Sequence, residues 1–264
     1  MSKRMTCGAA VSLLLILWPA VAVAQERATT MISVMEEYFV YPDRAKEFEG
    51  YMKEAVTAAG AHGFPYGWSV YALDDLRYIS MIWVDGMAGI DDMQAAWAAV
   101  EEKWGEAAGA DRPRKSHTTM SHWKSSVWAL RPDLSYLPET QADEFKYIVW
   151  GIVPIKLGHQ EAVEELFKEY AKVFAEHEVP HAWRAAEVLI GGEYPTLAFV
   201  EWAASPGSYW MRQDEAMKNE ELSEKTAALW EKMLPHLRGF EWDSGYFLKD
   251  LSYRPERKEE AEGN

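Results

Sequence analysis

His62-Gly63-Phe64-Pro65-Tyr66-Gly67-Trp68 is answered 115 positions later by His177-Glu178-Val179-Pro180-His181-Ala182-Trp183, with His, Pro and Trp at the same spacing. Two further segments return in the same order: Trp123-Lys124-Ser125 as Trp242-Asp243-Ser244, and Asp133-Leu134-Ser135-Tyr136-Leu137-Pro138 as Asp250-Leu251-Ser252-Tyr253-Arg254-Pro255. Matches at three places in one order mark an internal duplication, and a duplicated unit dictates the architecture.

Each copy spells the same run of elements. In the first, Ile32 to Val40 is rich in β-branched and aromatic residues and predicts a strand. Asp43 then predicts the cap of a helix whose apolar positions Phe48, Met52, Ala55, Val56 and Ala59 follow the 3.6-residue period. Two strands follow, Trp68 to Leu73 and Tyr78 to Val84, split by the turn signal Asp74-Asp75. A second helix carries Ile90, Met93, Trp97, Val100 and Trp104 on one stripe, and a strand at Val127 to Leu130 closes the copy. The second copy repeats this with a strand from Phe145 to Pro154, a helical stripe of Val163, Leu166, Phe167, Tyr170 and Phe174, and strands at Trp183 to Ile190 and Thr196 to Trp202 joined through Gly191-Gly192. A long helical region with Leu222, Leu229, Met233 and Leu237 and a last strand from Tyr246 to Leu248 complete it.

A β-α-β-β-α-β order puts both helices on one face of a four-stranded antiparallel sheet, so the opposite apolar face needs cover. The twin copy supplies it, which predicts an α+β protein of two tandem ferredoxin-like modules whose sheets face each other as a barrel within one chain. On this element order and duplication, over residues 32–255, the sequence resembles the dimeric α+β-barrel superfamily, including its antibiotic-biosynthesis-monooxygenase-like and NIPSNAP-like members. The resemblance implies fold far more than activity, because no catalytic motif of such a family is matched.

The predicted organisation is a cleaved signal peptide over 1–24, modules over 25–138 and 145–255, a linker over 139–144 and a charged, disordered tail over 256–264. Lys3 and Arg4 precede an apolar run from Val11 to Trp18 that is too short to span a bilayer, and Ala22-Val23-Ala24 offers a cleavage site. Export to the periplasm or medium is therefore expected, with no stable membrane insertion afterwards. Cys7 is the single cysteine and leaves with the leader, which excludes disulfides, thiolate metal sites and a cysteine nucleophile from the mature chain. Loss of Lys3 and Arg4 leaves 25 basic residues against 42 acidic ones, a net charge of −17 that repels nucleic acid and anionic lipid. Arg112, Arg114 and Lys115 with His117 and His122 form one local basic cluster, read as a solvated loop.

Few residues offer chemistry. His177-Glu178-Val179-Pro180-His181 spells the zinc-hydrolase pattern His-Glu-x-x-His, but that geometry needs a continuous helix and Pro180 breaks one, so no metal site is expected. His62 and His177 each follow the inward stripe of a helix and are read either as helix C-terminal residues meeting the negative end of the dipole or as pocket acid–base groups facing the sheet. The candidate catalytic residues are thus His177, His181 and His62. Trp68, Tyr66, Trp183 and Arg184 are the candidate ligand-binding residues, since twelve tryptophans outlast the leader and Tyr66/His181 and Ser69/Arg184 are the repeat positions where the copies differ.

These observations predict an exported protein, monomer or homodimer, that binds an apolar or aromatic small molecule, or a partner protein, without catalysis and without a cofactor. The alternative is a cofactor-independent monooxygenase or isomerase acting on such a molecule, with a histidine and tryptophans positioning it. A haem protein of the chlorite-dismutase type is the third reading, with a histidine as axial ligand.

Overall fold

A computed structural model describes residues 31–108, 116–138 and 146–256. The expected leader, the basic segment holding Arg112, Arg114 and Lys115, the linker and nearly all of the tail lie outside the described residues. The first half runs β1 (Met31–Val40), α1 (Ala45–Ala61), β2 (Trp68–Leu73), β3 (Arg77–Asp85), α2 (Ala88–Ala108) and β4 (Met120–Tyr136). The second runs β5 (Tyr147–Pro154), α3 (Gln160–Glu176), β6 (Trp183–Ile190), β7 (Thr196–Ala203), α4 (Pro206–Met217), α5 (Glu220–Met233) and β8 (Glu241–Phe247). No helix of these residues is long and apolar enough to cross a membrane.

Both halves order their strands alike, β4-β1-β3-β2 and β8-β5-β7-β6, all antiparallel. The two sheets do more than face each other. β2 pairs with β8 and β6 with β4, which closes an eight-stranded barrel and satisfies the N–H and C=O groups that four open edges would expose. This double duty explains why β4 is longer than the expected Val127 to Leu130. Its first part, from Met120, pairs with β1, and its last part, to Tyr136, pairs with β6.

The two-residue alternation of the strands sorts side chains into two environments. Met35, Tyr71, Met81, Trp128, Trp150 and Trp202 point into the barrel, where they form one apolar cluster. Ile32, Val34, Trp68 and Val70 face α1 and α2, while Val153, Trp183, Ala185 and Leu197 face α3 and α5, giving each half its own core. Gly151 has a specific task in the second of these cores: any Cβ would collide with the ring of Phe199, which lies across the strand.

The repeated Asp-Leu-Ser-Tyr segments act as reciprocal clasps. The indole N–H of Trp68 donates to the Leu251 carbonyl (2.8 Å), and that of Trp183 donates to the Leu134 carbonyl (2.9 Å). Ser252 Oγ accepts from the Val70 amide and Ser135 Oγ from the Ala185 amide. Tyr253 donates to the Phe64 carbonyl and Tyr136 to the Val179 carbonyl. Each half therefore ends by fastening itself onto the other.

Two expectations are corrected. Asp43 does not cap α1: it lies inside a short 3-10 turn, Pro42–Arg44, and the cap position is taken by Arg44 without a side-chain bond. The single long helical region of the second half is two helices. Ser205 and Ser208 form a reciprocal capping box with Pro206 at the first turn of α4, and Asn219 caps α5 by accepting from the Leu222 amide.

Candidate functional site

Three cavities lie where the two core layers leave room. The first, about 470 Å³, sits between the first-half sheet and α1 and α2. Its walls include Tyr38, Phe48, Tyr51, Met93 and Trp97, and its mouth carries Gln94, Glu101, His117 and Trp123. Glu36 reaches this space because it occupies a helix-facing position in the alternation Ile32, Val34, Glu36, Tyr38. Ser125 Oγ donates to its carboxylate at 2.7 Å. Burial raises the Glu36 pKa above the ordinary carboxylate value and the Ser125 bond only partly opposes this. Beside it the Tyr38 phenol is held well above its usual range, first by burial and then by the charge of Glu36. A half-buried carboxyl with a raised pKa in an aromatic cleft has the chemistry of a proton donor and acceptor.

The second cavity, about 280 Å³, occupies the equivalent space in the second half, lined by Phe167, Tyr170, Trp183, Phe199, Trp230 and Trp242 together with Glu201. Strand register shows what changed between the copies: Trp68 lies opposite Ile82, and Trp183 lies opposite Glu201. Where the first half has Tyr66 and Ile82, the second has His181 and Glu201. His181 Nε2 donates to Glu201 Oε2 at 2.8 Å, and buried Tyr209 on α4 donates to the same oxygen at 2.5 Å. Gln213 donates to the Tyr209 hydroxyl at 3.2 Å. Burial and the adjacent Glu201 push the Tyr209 pKa far up. This network ties the segment before β6 to β7 and α4, and it gives the same oxygen of Glu201 three donors, His181, Tyr209 and, at 3.5 Å, Gln213. His181 Nδ1 is buried with no partner.

The third cavity is the barrel interior itself, about 970 Å³ at the end reached by Ser69, Lys146, Arg184, Lys249 and Arg254. A smaller space of about 440 Å³ opens at the opposite end among Glu37, Arg77, Glu193, Glu241 and Asp243. Met35, Trp128 and Trp150 border both.

No family model matches the chain, and no curated protein matches it in sequence. In shape it is similar to an anthrone oxidase-like protein (13% identity, TM-score 0.54, covering 83% of this chain and 92% of that one). It is likewise similar to a candidate monooxygenase from Fusobacterium nucleatum (9%, 0.56, covering 84% and 94%), and to a chlorite dismutase variant from Candidatus Nitrospira defluvii (12%, 0.52, covering 85% and 94%). This is the dimeric α+β-barrel fold, closed within one chain.

Within this dimeric α+β barrel the expected site residues scatter. Trp68 and Trp183 line the first and second sheet–helix cavities, and Arg184 lines the barrel interior. Tyr66 packs on Phe64 in the first core and borders none of the three cavities. His181 is held in the Glu201 network. His62 and His177 are the C-caps of α1 and α3, their amides bonding the Ala58 and Val173 carbonyls. His177 does not turn towards the sheet as the helical stripe implied: the stripe ends with the helix, and its ring meets Asn219 and Lys225 at α5. Glu178 lies in the left-handed region at φ 49°, so His177 and His181 do not share a helix and the zinc-hydrolase geometry is missing. Among the described residues no group of three or more His, Cys, Asp or Glu could hold a metal ion.

The residues do not fit haem either. α3, α4 and α5 carry no histidine, none lines the second-half cavity, and His117, stacked on Trp123 at the first-half mouth, is the one histidine bordering any of these spaces. Glu36, Glu201 and Tyr209 were missed by sequence reasoning. A signal for the two glutamates existed: each breaks an alternating apolar row on the face turned to the helices, and a charge on a buried face is the informative exception.

Proposed function

We propose that the protein is an exported binder of a small apolar or aromatic molecule, seated between sheet and helices of the first half with Glu36 as its polar anchor. The observation that carries this is the Glu36 carboxyl, its pKa raised by burial, facing a 470 Å³ aromatic cavity. A cavity of this size holds two or three fused rings, and one convergent polar group fixes their orientation. The first half is favoured over the second because the second cavity is smaller and its carboxylate is engaged by His181 and Tyr209.

The same carboxyl supports a second reading, in which Glu36 removes a proton from a ring-activated substrate, as a cofactor-independent isomerase or monooxygenase requires. The likeness to an anthrone oxidase-like protein makes anthrone a reasonable probe for both. Titration with anthrone under nitrogen, followed by tryptophan fluorescence, should show saturable binding weakened about tenfold by Trp97→Ala, consistent with loss of one large ring contact. Oxygen uptake on admitting air, lost in Glu36→Gln, would establish the catalytic reading. Binding with no uptake above the buffer rate leaves a binder, and absence of saturable binding ends both.

A further inference from the structure

We propose that Ser80 makes the first-half cavity selective for aromatic molecules bearing two neighbouring hydroxyl groups, one met by Glu36 and the other by Ser80. This rests on the binder reading above and names the ligand class for that site.

Strand register places the two side chains together. Glu36 on β1 lies directly opposite Ser80 on β3, and both line the 470 Å³ cavity. Residues paired in this way hold their Cβ atoms about 4.5–5.5 Å apart on one face of a sheet, so both can reach the same edge of a bound ring. Glu36 Oε1 is taken by the Ser125 hydroxyl, which leaves Oε2 to accept from a ligand. Ser80 is only 6% exposed, and among the described residues its hydroxyl has no hydrogen-bond partner. A hydroxyl both donates and accepts, so Ser80 can meet a second ligand hydroxyl in either sense. Tyr38, Phe48 and Trp97 in the surrounding walls take the ring itself.

The second copy shows that the fold does not need this polar pair. Ile82 corresponds to Glu201, each standing opposite the matched tryptophan. Two residues earlier on the same strands Ser80 corresponds to Phe199, and the residues opposite them are Glu36 and Gly151. In the second half the Phe199 ring lies across Gly151 and occupies the room that a side chain would need. In the first half a carboxyl and a hydroxyl stand on the corresponding face. Polar groups buried on an apolar face cost free energy until something bonds to them. Since the twin packs the same positions with a glycine and a ring, the cost in the first half answers to a bound molecule and not to packing.

The test is titration calorimetry under nitrogen with 2,3-dihydroxynaphthalene and 2-naphthol, which share a ring system and differ by one hydroxyl. The diol should bind the protein about fivefold more tightly, the gain of one net hydrogen bond. Ser80→Ala should bring the two affinities together by weakening the diol, with the thermal transition in place, whereas Trp97→Ala should weaken both probes. Equal affinities in the wild type, a preference for the diol that survives Ser80→Ala, or equal weakening of both probes by Ser80→Ala would overturn the proposal. The two readings fail differently. Saturable binding of both probes that is weakened by Trp97→Ala but shows no preference for the diol removes the role of Ser80 and keeps the binder; no saturable binding of either probe removes both.

Discussion

Individual carboxylates carry unequal burdens in this molecule. Glu36 keeps its proton to higher pH when folded than when unfolded, because burial disfavours its charge. Between those two pKa values the native state binds the more protons, so stability declines as pH rises through that window. Glu36→Gln keeps the side-chain shape and removes the decline. The variant should melt above the wild type at pH 7, and the gap should close below about pH 4, where the carboxyl is neutral in both states. Calorimetric scans across that range check it, and a variant melting lower at pH 7 would show the charge to be compensated. Glu201 has a structural part instead, as a buried acceptor for His181, Tyr209 and Gln213. Glu201→Ala removes the acceptor shared by the buried His181 and Tyr209 donors and should cost on the order of 2–4 kcal/mol in urea unfolding. His177→Ala should change stability by less than about 0.5 kcal/mol, as for a surface side chain outside a buried network.

At the scale of elements, the clasps decide how the halves are held. Ser252→Ala and Ser135→Ala each remove an acceptor for a strand amide of the other half, at Val70 and Ala185. Each should cost about 1 kcal/mol in urea unfolding, and the double variant should come close to the sum because the clasps lie in different halves. If either serine proves silent, water is satisfying the amide and that clasp is only packing. The duplicated Asp-Leu-Ser-Tyr segment could be seen in the sequence, yet its purpose could not: Trp68 and Leu251 are 183 positions apart, and no local pattern reports such a bond. The helices with strong stripes, α1, α2 and α3, were legible because their buried residues repeat every three or four positions. α4 was merged into its neighbour because it buries little beyond Tyr209, and the cue that separates it is the cap Ser205 followed by Pro206. β4 is legible only in part, because His122 to Ser125 are exposed and mostly polar while still pairing with β1. The candidate site was less legible than the fold. Histidines drew attention as reactive residues, whereas Glu36, a commoner residue type, is distinguished only by the face it occupies.

Over the whole molecule, the barrel exists only when both halves are present. A polypeptide of residues 25–138 alone would expose the edges of β2 and β4 and the aromatic face of Tyr71, Met81 and Trp128. Such a half should self-associate, and sedimentation velocity should find dimers or larger species with no stable monomer. The intact chain should unfold in one transition with coincident near- and far-ultraviolet signals, because neither half completes its hydrogen bonding without the other. Two separated melting steps would show the halves to be autonomous.

Closing the ring inside one polypeptide has an evolutionary result as well. When such a shell is assembled from two identical subunits, every substitution appears twice, and an experiment at one pocket is repeated at its twofold-related copy. Joined end to end, the copies became separate targets for selection. The exchange of Ile82 for Glu201 between corresponding strands is the visible trace of that independence: one copy carries a carboxylate tied to His181 and Tyr209 beside the smaller hollow, its sibling an aliphatic side chain beside the larger.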